Sequence, residues 1–246
     1  MVRLISLFSG LGAFEKALTN LEIPFELIAY CEFDKYASKA YSVIHNVPES
    51  MNLGDITKVD EKTLPTDVDL VTYGFPCQPF SVAGRQEGFD DSKGRGNLFF
   101  DALRIINHCK PKIAMMENVK NLTSKKFESE FETVLESLEN AGYNNYWKVL
   151  DAKDYDLAQH RERVICISIR KDVDTGVFKF PEPVKLVKCL YDYLEDEVDE
   201  KYYISDEKVK ALIPQLKEKM ISNTIRGGGH GSIDRHQWDL VIVNKV

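Results

Sequence analysis

The sequence predicts an α/β protein with a doubly wound, mostly parallel sheet, on three observations. Strand-like apolar runs alternate with helix-like segments through about residue 170. The helix-like segments carry apolar residues at helical spacing, and several stop near a glycine or proline. From about residue 171 the alternation fails, and glycines and acidic residues become frequent. We therefore expect a sheet domain over residues 1–170 and a small loop-rich region over 171–246.

The individual elements follow from these runs. Strands are predicted at 3–8, 26–32, 67–74, 112–117, 143–151 and 162–170, with a last one in WDLVIVNKV at the end of the printed sequence. Helices are predicted at 11–21, 34–44, 96–109 and 126–142. The strands at 143–151 and 162–170 could pair as a long hairpin.

Composition narrows the class of protein. Over 246 residues, 43% are hydrophobic and 29% charged, as in soluble globular proteins. No apolar run approaches the ~20 residues of a membrane span, and the first ten residues lack a secretory cleavage site, so we expect an intracellular protein. Five cysteines without CxxC spacing suggest neither a disulfide framework nor a zinc site, and no metal is expected. A net charge of −7 argues against non-specific nucleic-acid binding, but leaves a DNA enzyme with local basic patches open.

A glycine turn joins the first strand to the first helix in LFSGLGAF (7–14). Gly10 and Gly12 let the backbone approach a nucleotide-like ligand, although a tight strand–helix turn explains them as well. The run departs from GxGxxG because position 15 is glutamate, which weakens a pyrophosphate-binding interpretation. Glu32 ends the second strand, where a carboxylate can accept bonds from ribose hydroxyls, and Asp55 could receive an adenine amino group. Each acid could instead be a helix cap or a turn residue.

One cysteine lies in a rigid setting. Cys77 follows the third strand in YGFPCQPFS, between two prolines that fix the backbone. Ligands of doubly wound folds bind at the carboxyl ends of the strands, so Cys77 is predicted on the same rim as the glycine turn. A structural cysteine is the alternative, but the loop favours an oriented nucleophile, active as thiolate.

The fourth and sixth strands supply further candidates. Glu117 and Asn118 end the fourth strand, and a carboxylic acid buried there would have a raised pKa and could act as a general acid. QHRERV places Arg161 and Arg163 just before a strand-like segment, two residues apart. They could share a face and hold a phosphate or carbonyl, or be ordinary surface arginines.

Taken together, these segments resemble the DNA (cytosine-5)-methyltransferase family. The family's blocks occur in the family's order, over roughly residues 3–170, as LFSGLGAF, YCEFDKYA, GDI, GFPCQPFSVAG, GNLFFDALRII, ENV and QHRERV. The resemblance implies the Rossmann-like fold of S-adenosylmethionine-dependent methyltransferases. It also implies S-adenosylmethionine as methyl donor and a flipped cytosine in double-stranded DNA as substrate, in a prokaryotic or phage-encoded cytoplasmic enzyme.

The resemblance also implies a role for each matching residue. Cys77 would attack C6 of the cytosine, Glu117 would hold or protonate N3, and Arg163 would contact the base carbonyl with Arg161 nearby. The methyl donor would be bound by Phe8, Gly10, Leu11, Gly12, Glu32, Phe33, Asp55, Ile56, Pro76 and Leu98. The substrate would be contacted by Gln78, Ser81, Asn118 and Gln159. Residues 81–96 resemble the mobile loop that closes on DNA.

The end of the printed sequence departs from the family. TIRGGGHGSIDRHQWDL resembles the start of a target-recognition region, but the two blocks that usually follow do not appear. We expect either a complementary polypeptide that supplies them or a truncated product. Glycines 227–229 and 231 could approach DNA or form a flexible loop.

Three alternatives to a DNA methyltransferase stay open at this point. The chain could be a donor- and DNA-binding subunit that is inactive without a partner. It could methylate cytosine in transfer RNA through the same cysteine chemistry. A nicotinamide-dependent oxidoreductase is the third, but it leaves Cys77, Glu117 and the arginines without a joint role.

Overall fold

The computed structural model describes residues 1–76, 97–200 and 221–222. Its strands are β1 (Val2–Leu7), β2 (Phe25–Cys31), β3 (Leu70–Tyr73), β4 (Ile113–Val119), β5 (Tyr143–Asp151) and β6 (Glu162–Arg170). Its α-helices are α1 (Ala13–Asn20), α2 (Lys35–His45), α3 (Leu98–Cys109) and α4 (Glu128–Asn140). The predicted elements within these ranges are confirmed. The largest difference is at β3, which begins at Leu70 rather than at residue 67.

The strands form one sheet in the order β2-β1-β3-β4-β6-β5. Strand β1 pairs in parallel with β2 and β3, and β3 pairs in parallel with β4. Strand β6 runs antiparallel to β4 and lies beside β5, so the predicted pairing of the last two strands is confirmed. Because β2 and β3 lie on opposite sides of β1, the winding reverses there. That switch point is where doubly wound sheets bind their ligands.

The central strands are hydrophobic on both faces. Leu4–Leu7 of β1 and Val71–Tyr73 of β3 are buried throughout, as expected for parallel strands covered by helices on both sides. Helices α1 and α2 meet through a bond from the Tyr41 hydroxyl to Glu15. Helices α3 and α4 contact one another and contribute buried side chains to the same core. These helix pairs are the two outer layers of the doubly wound fold.

Contacts divide the chain into two units. The first unit comprises Met1–Val149 and Arg163–Phe180. Residues after 170 stay with it because Lys171 bonds the Gly142 carbonyl and Asp174 accepts bonds from Asn144. The second unit comprises Leu150–Glu162 and the described residues from Pro181 onward, joined by backbone bonds such as that from Val184 to Asp154.

No helix in the described part of the chain is both long and apolar enough to cross a membrane. Among the same residues, no three or more His, Cys, Asp or Glu side chains are grouped to hold a metal ion.

Candidate active site

In the turn after β1, the backbone amides of Gly10 and Gly12 are hydrogen-bonded to other groups of the protein. Phe8, Gly10 and Gly12 have positive φ angles of 54°, 55° and 78°. The amide of Gly10 donates to Glu32 Oε2 at 2.8 Å, and that of Gly12 to the Ser9 carbonyl at 2.8 Å. A phosphate-binding turn needs such amides free to face the ligand. The turn therefore has the shape for close backbone approach, but these two amides do not form a pyrophosphate cradle.

Glu32 is held firmly at the end of β2. Besides Gly10, its carboxylate accepts a bond from the Asp34 amide at 2.8 Å. The side chain of Asn52 clamps its backbone, accepting from the Glu32 amide and donating to the Glu32 carbonyl, both at 2.9 Å. Each carboxylate oxygen has a second lone pair that can accept a hydroxyl hydrogen. Sequence reasoning missed Asn52; the only signal was its position two residues before the GDI block.

Asp55 and Ile56 follow on a 3-10 turn. The Asp55 carboxylate accepts from the Thr57 hydroxyl at 2.8 Å and the Thr57 amide at 3.1 Å, and these bonds, the hydroxyl bond above all, lower its pKa. Asp55 is thus the turn cap that the sequence allowed as an alternative. Ile56 is buried, and its carbonyl accepts from the Arg104 guanidinium at 2.9 Å. Arg104 also donates to the Val59 carbonyl at 2.6 Å. Nothing in the sequence indicated this function for Arg104.

This region carries negative charge. Burial above all, together with the neighbouring carboxylates of Glu32 and Asp55, raises the pKa of the Cys31 thiol to about 12. The thiol stays protonated and donates to the Gly54 carbonyl at 3.0 Å. Carboxylates that disfavour a thiolate also disfavour another anion close to them, such as the pyrophosphate of a dinucleotide.

Two large apolar side chains are exposed in the segments after β1 and β2. Leu11 is 59% and Phe33 is 80% exposed. Leu98, at the start of α3, packs against the core and is only partly exposed. Pro76 is also partly exposed. Exposed apolar side chains beside a fixed carboxylate suit a ligand with a flat aromatic part and ribose hydroxyls.

Asn118 fixes the segment that leads to Cys77. It is 1% exposed, its side-chain amide donates to the Phe75 carbonyl at 3.2 Å, and its side-chain oxygen accepts from the Val119 amide at 2.8 Å. The family resemblance implies that Asn118 contacts the substrate. Its burial and its two bonds favour a positioning role, because a side chain held this way has no free face for a base.

Glu117 and Arg163 form an ion pair across adjacent strands. Arg163 Nε lies 2.9 Å from Glu117 Oε1. Arg163 is opposite Val119 in the β4–β6 ladder, so Glu117 is its diagonal neighbour on the same face. A Cβ added to Gly74 would lie 3.4 Å from Glu117 Oε2, so the backbone after β3 passes close to this carboxylate. The expected buried acid is instead a 31% exposed, arginine-paired carboxylate.

Arg161 and Gln159 lie in the second unit. Arg161 stands one residue before β6, and its amide donates to Asp151 Oδ1 at 2.9 Å. Of the two arginines, only Arg163 lies within the strand. Gln159 forms a bridge with Ser222, and the Asp151 carboxylate also bonds His160 Nδ1 at 2.5 Å. Burial works against ionisation of Asp151, but bonds from Arg161 and His160 outweigh it and lower the pKa.

Several predicted residues lie outside the described ranges. These are Cys77, Gln78, Ser81, the rest of the loop to residue 96, and the TIRGGGHGS segment. Among the described cysteines, Cys31, Cys109 and Cys166 are buried with raised pKa values, so none of these three is an activated thiol.

Comparison with known proteins assigns the family. The family model described as C-5 cytosine-specific DNA methylase matches residues 2–241. The chain belongs to this family. It is 40% identical over 227 residues to the type II methyltransferase M.HhaI of Haemophilus parahaemolyticus, a match that covers 92% of this chain and 67% of that protein. It is 35% identical over 261 residues to the orphan methyltransferase M.SPRI of Bacillus phage SPR, covering 95% of this chain and 59% of that protein.

The chain is shorter than these methylases. It spans 59% of M.SPRI and 50% of the orphan methyltransferase M.Rho11sI of Bacillus phage rho11s. The relatives' names do not describe a two-chain enzyme, so they lend no support to the predicted complementary polypeptide.

Solved methyltransferase structures share the fold. A Spodoptera frugiperda DNMT2 mutant superposes with a TM-score of 0.69 at 22% identity, covering 87% of this chain and 65% of that one. A putative DNA modification methyltransferase of an Escherichia coli prophage gives 0.61 at 23% identity, covering 81% and 57%. The predicted Rossmann-like methyltransferase fold is thereby confirmed.

Proposed function

We propose that this methylase transfers a methyl group from S-adenosylmethionine to C5 of a flipped cytosine in double-stranded DNA, through a covalent bond between Cys77 and C6. The observation that carries the proposal is the Glu117–Arg163 pair at the carboxyl end of β4, beside the backbone that leads to Cys77. Family membership over residues 2–241 supplies the reaction class.

Cys77 supplies the nucleophile. Its thiolate forms a bond to C6 of the cytosine, and the displaced ring electrons make C5 nucleophilic. Once C5 is methylated, loss of the C5 proton and cleavage of the C6–S bond return the thiolate. Asn118 contributes by fixing Phe75, two residues before the nucleophile.

Glu117 and Arg163 hold the base during this addition. Addition at C6 places negative charge on the ring, which a proton held at N3 neutralises. Glu117 can fix that proton with one carboxylate oxygen while the other stays paired with Arg163. We assign the Arg163 guanidinium, which is a multiple N–H donor, to the base carbonyl. We propose that Arg161 supports this site. The substrate would be contacted by Gln78, Ser81 and Gln159.

The glycine turn and its acidic neighbours would hold the donor. S-adenosylmethionine, when bound, supplies the methyl group on its sulfonium. Glu32 would accept hydrogen bonds from the ribose hydroxyls of the donor, and Asp55 and Ile56 would face its adenine. Phe33 and Leu11 would line the donor site with apolar surface. The carboxylates of Glu32 and Asp55, which add to burial in raising the Cys31 pKa, favour this cationic donor and disfavour a nicotinamide dinucleotide, whose pyrophosphate is anionic.

A methyl-transfer assay tests the proposal. The chain is mixed with S-adenosylmethionine labelled on the methyl group and with duplex DNA, and the nucleosides are then separated. The proposal predicts label in 5-methylcytosine of the duplex. Label only in transfer RNA, offered as competitor, would replace the DNA substrate with the transfer RNA alternative. Donor binding without label in either polymer would favour the inactive-subunit alternative.

A further inference from the structure

Three side chains of α1 and α2, those of Glu15, Tyr41 and His45, form a cluster that contacts the glycine turn. Glu15 is 1% exposed and accepts a bond from the Tyr41 hydroxyl at 2.8 Å. The Tyr41 ring stacks on Tyr30 with centroids 4.1 Å apart, and the His45 ring contacts Tyr41 with centroids 4.5 Å apart and the two planes tilted by 46°. The buried Glu15–Tyr41 bond thus fixes the surface on which His45 rests.

His45 reaches from the last turn of α2 to the glycine turn. Its Nε2 lies 2.9 Å from the Leu11 carbonyl oxygen. A carbonyl only accepts, so Nε2 carries the hydrogen and His45 is the donor. The bond joins the end of one helix to the residue between Gly10 and Gly12.

Gly12 is shaped by the same contact. Its φ of 78° is strained for any other residue, and an added Cβ would overlap His45 Nε2 and lie 2.8 Å from the Tyr41 ring. The absence of a side chain at Gly12 is therefore what allows His45 to reach Leu11.

We propose that His45 is a positioning residue for the methyl donor. His45 donates a hydrogen bond to the Leu11 carbonyl, and Glu32 accepts one from the neighbouring Gly10 amide. Together the two bonds hold the glycine turn in its donor-binding conformation. Leu11, whose side chain is mostly exposed, is thereby held in place without His45 touching the donor. The inference rests on the proposed function, since it names a residue that supports its donor site.

Two variants separate positioning from general stability. His45→Leu keeps an apolar side chain against Tyr41 and removes the donor to Leu11. His45→Gln replaces the ring but keeps an N–H that can reach the carbonyl. Dissociation constants for S-adenosylmethionine and S-adenosylhomocysteine are measured by calorimetry on the whole chain without DNA, together with the Tm of each variant without ligand.

The expected result is a split between the two variants. His45→Leu weakens donor binding about three- to tenfold, the value of one hydrogen bond, and His45→Gln stays within about twofold of the unchanged chain. Equal donor affinity in the unchanged chain and His45→Leu overturns the inference, as does a loss in both variants that follows their Tm. If the unchanged chain binds neither compound, the proposed function itself fails and the inference falls with it.

Discussion

Glu117 and Arg163 show how two residues 46 positions apart become one chemical group, because β4 and β6 pair antiparallel and place them diagonally across the ladder. The sequence analysis found both residues, but not that they form a pair. It expected a buried acid, whereas the arginine compensates the charge of a partly exposed carboxylate. Strand pairing between distant segments is what a single sequence does not display.

Glu117→Gln should slow methylation strongly and leave duplex affinity nearly unchanged. The amide keeps the size of the side chain but cannot hold the N3 proton as a carboxylate does, so we expect turnover to fall about 10²-fold or more. Single-turnover rates and DNA binding are measured on the same preparation. Glu132→Gln, exposed on α4, is the matched control and should behave as the unchanged chain. An unchanged rate in Glu117→Gln would remove this residue from the site.

Asn118→Ala should destabilise the fold. The substitution removes both hydrogen bonds of this buried side chain, which costs about 1–3 kcal/mol of unfolding free energy. Urea unfolding measures the loss. A variant as stable as the unchanged chain, with weaker DNA binding, would return Asn118 to the substrate contacts.

At the level of elements, apolar periodicity was enough to place the described strands and helices. Burial follows the apolar pattern most closely in β1, where Leu4–Leu7 are buried, and in α3, which buries five residues on one side. The glycine turn, Glu32 and Asp55 were also found, since they stand where doubly wound folds bind ligands. Asn52, Arg104 and His45 were missed. Each acts on the backbone of a distant segment, and a polar side chain that bonds backbone leaves no spacing pattern in the sequence.

Arg104 ties α3 to the turns that carry Asp55 and Ile56. It donates to the carbonyls of Ile56 and Val59 and pairs with Glu61, and the guanidinium fork makes these bonds together. Arg104→Met should lower the unfolding free energy by about 1–2 kcal/mol and weaken donor binding. Arg104→Lys keeps the charge but not the forked guanidinium. Its unfolding free energy and donor affinity should lie between those of the unchanged chain and those of Arg104→Met. Full donor affinity in Arg104→Met would show that the turn holds its shape without α3.

For the whole molecule, three buried thiols predict sensitivity to alkali. Burial raises the pKa of Cys31 to about 12 and those of Cys109 and Cys166 to about 11, from an ordinary value of 9.0. Above pH 9 these thiols ionise in the unfolded chain but stay protonated in the folded one. Their contribution to stability is therefore full below pH 9 and is lost as pH rises toward the folded values, by at most about 1.4 kcal/mol per thiol per pH unit.

Urea midpoints between about pH 8 and pH 11 measure this loss. Cys166→Ala removes one of the three thiols and should make the decline shallower, whatever it does to the midpoint at neutral pH. An identical slope in the variant would mean that the buried tyrosines, such as Tyr73 whose pKa is also raised by burial, account for the decline.

The central claim is the bond between Cys77 and C6, and trapping on DNA that contains 5-fluorocytosine tests it most directly. Fluorine at C5 blocks the final elimination, so the C6–S bond persists through denaturation. We predict a donor-dependent protein–DNA adduct that peptide mass spectrometry maps to Cys77. The adduct should disappear in Cys77→Ser and persist in Cys189→Ser, because Cys189 is partly exposed but has no assigned role. An adduct that survives in Cys77→Ser, or one that maps to another cysteine, would contradict the account.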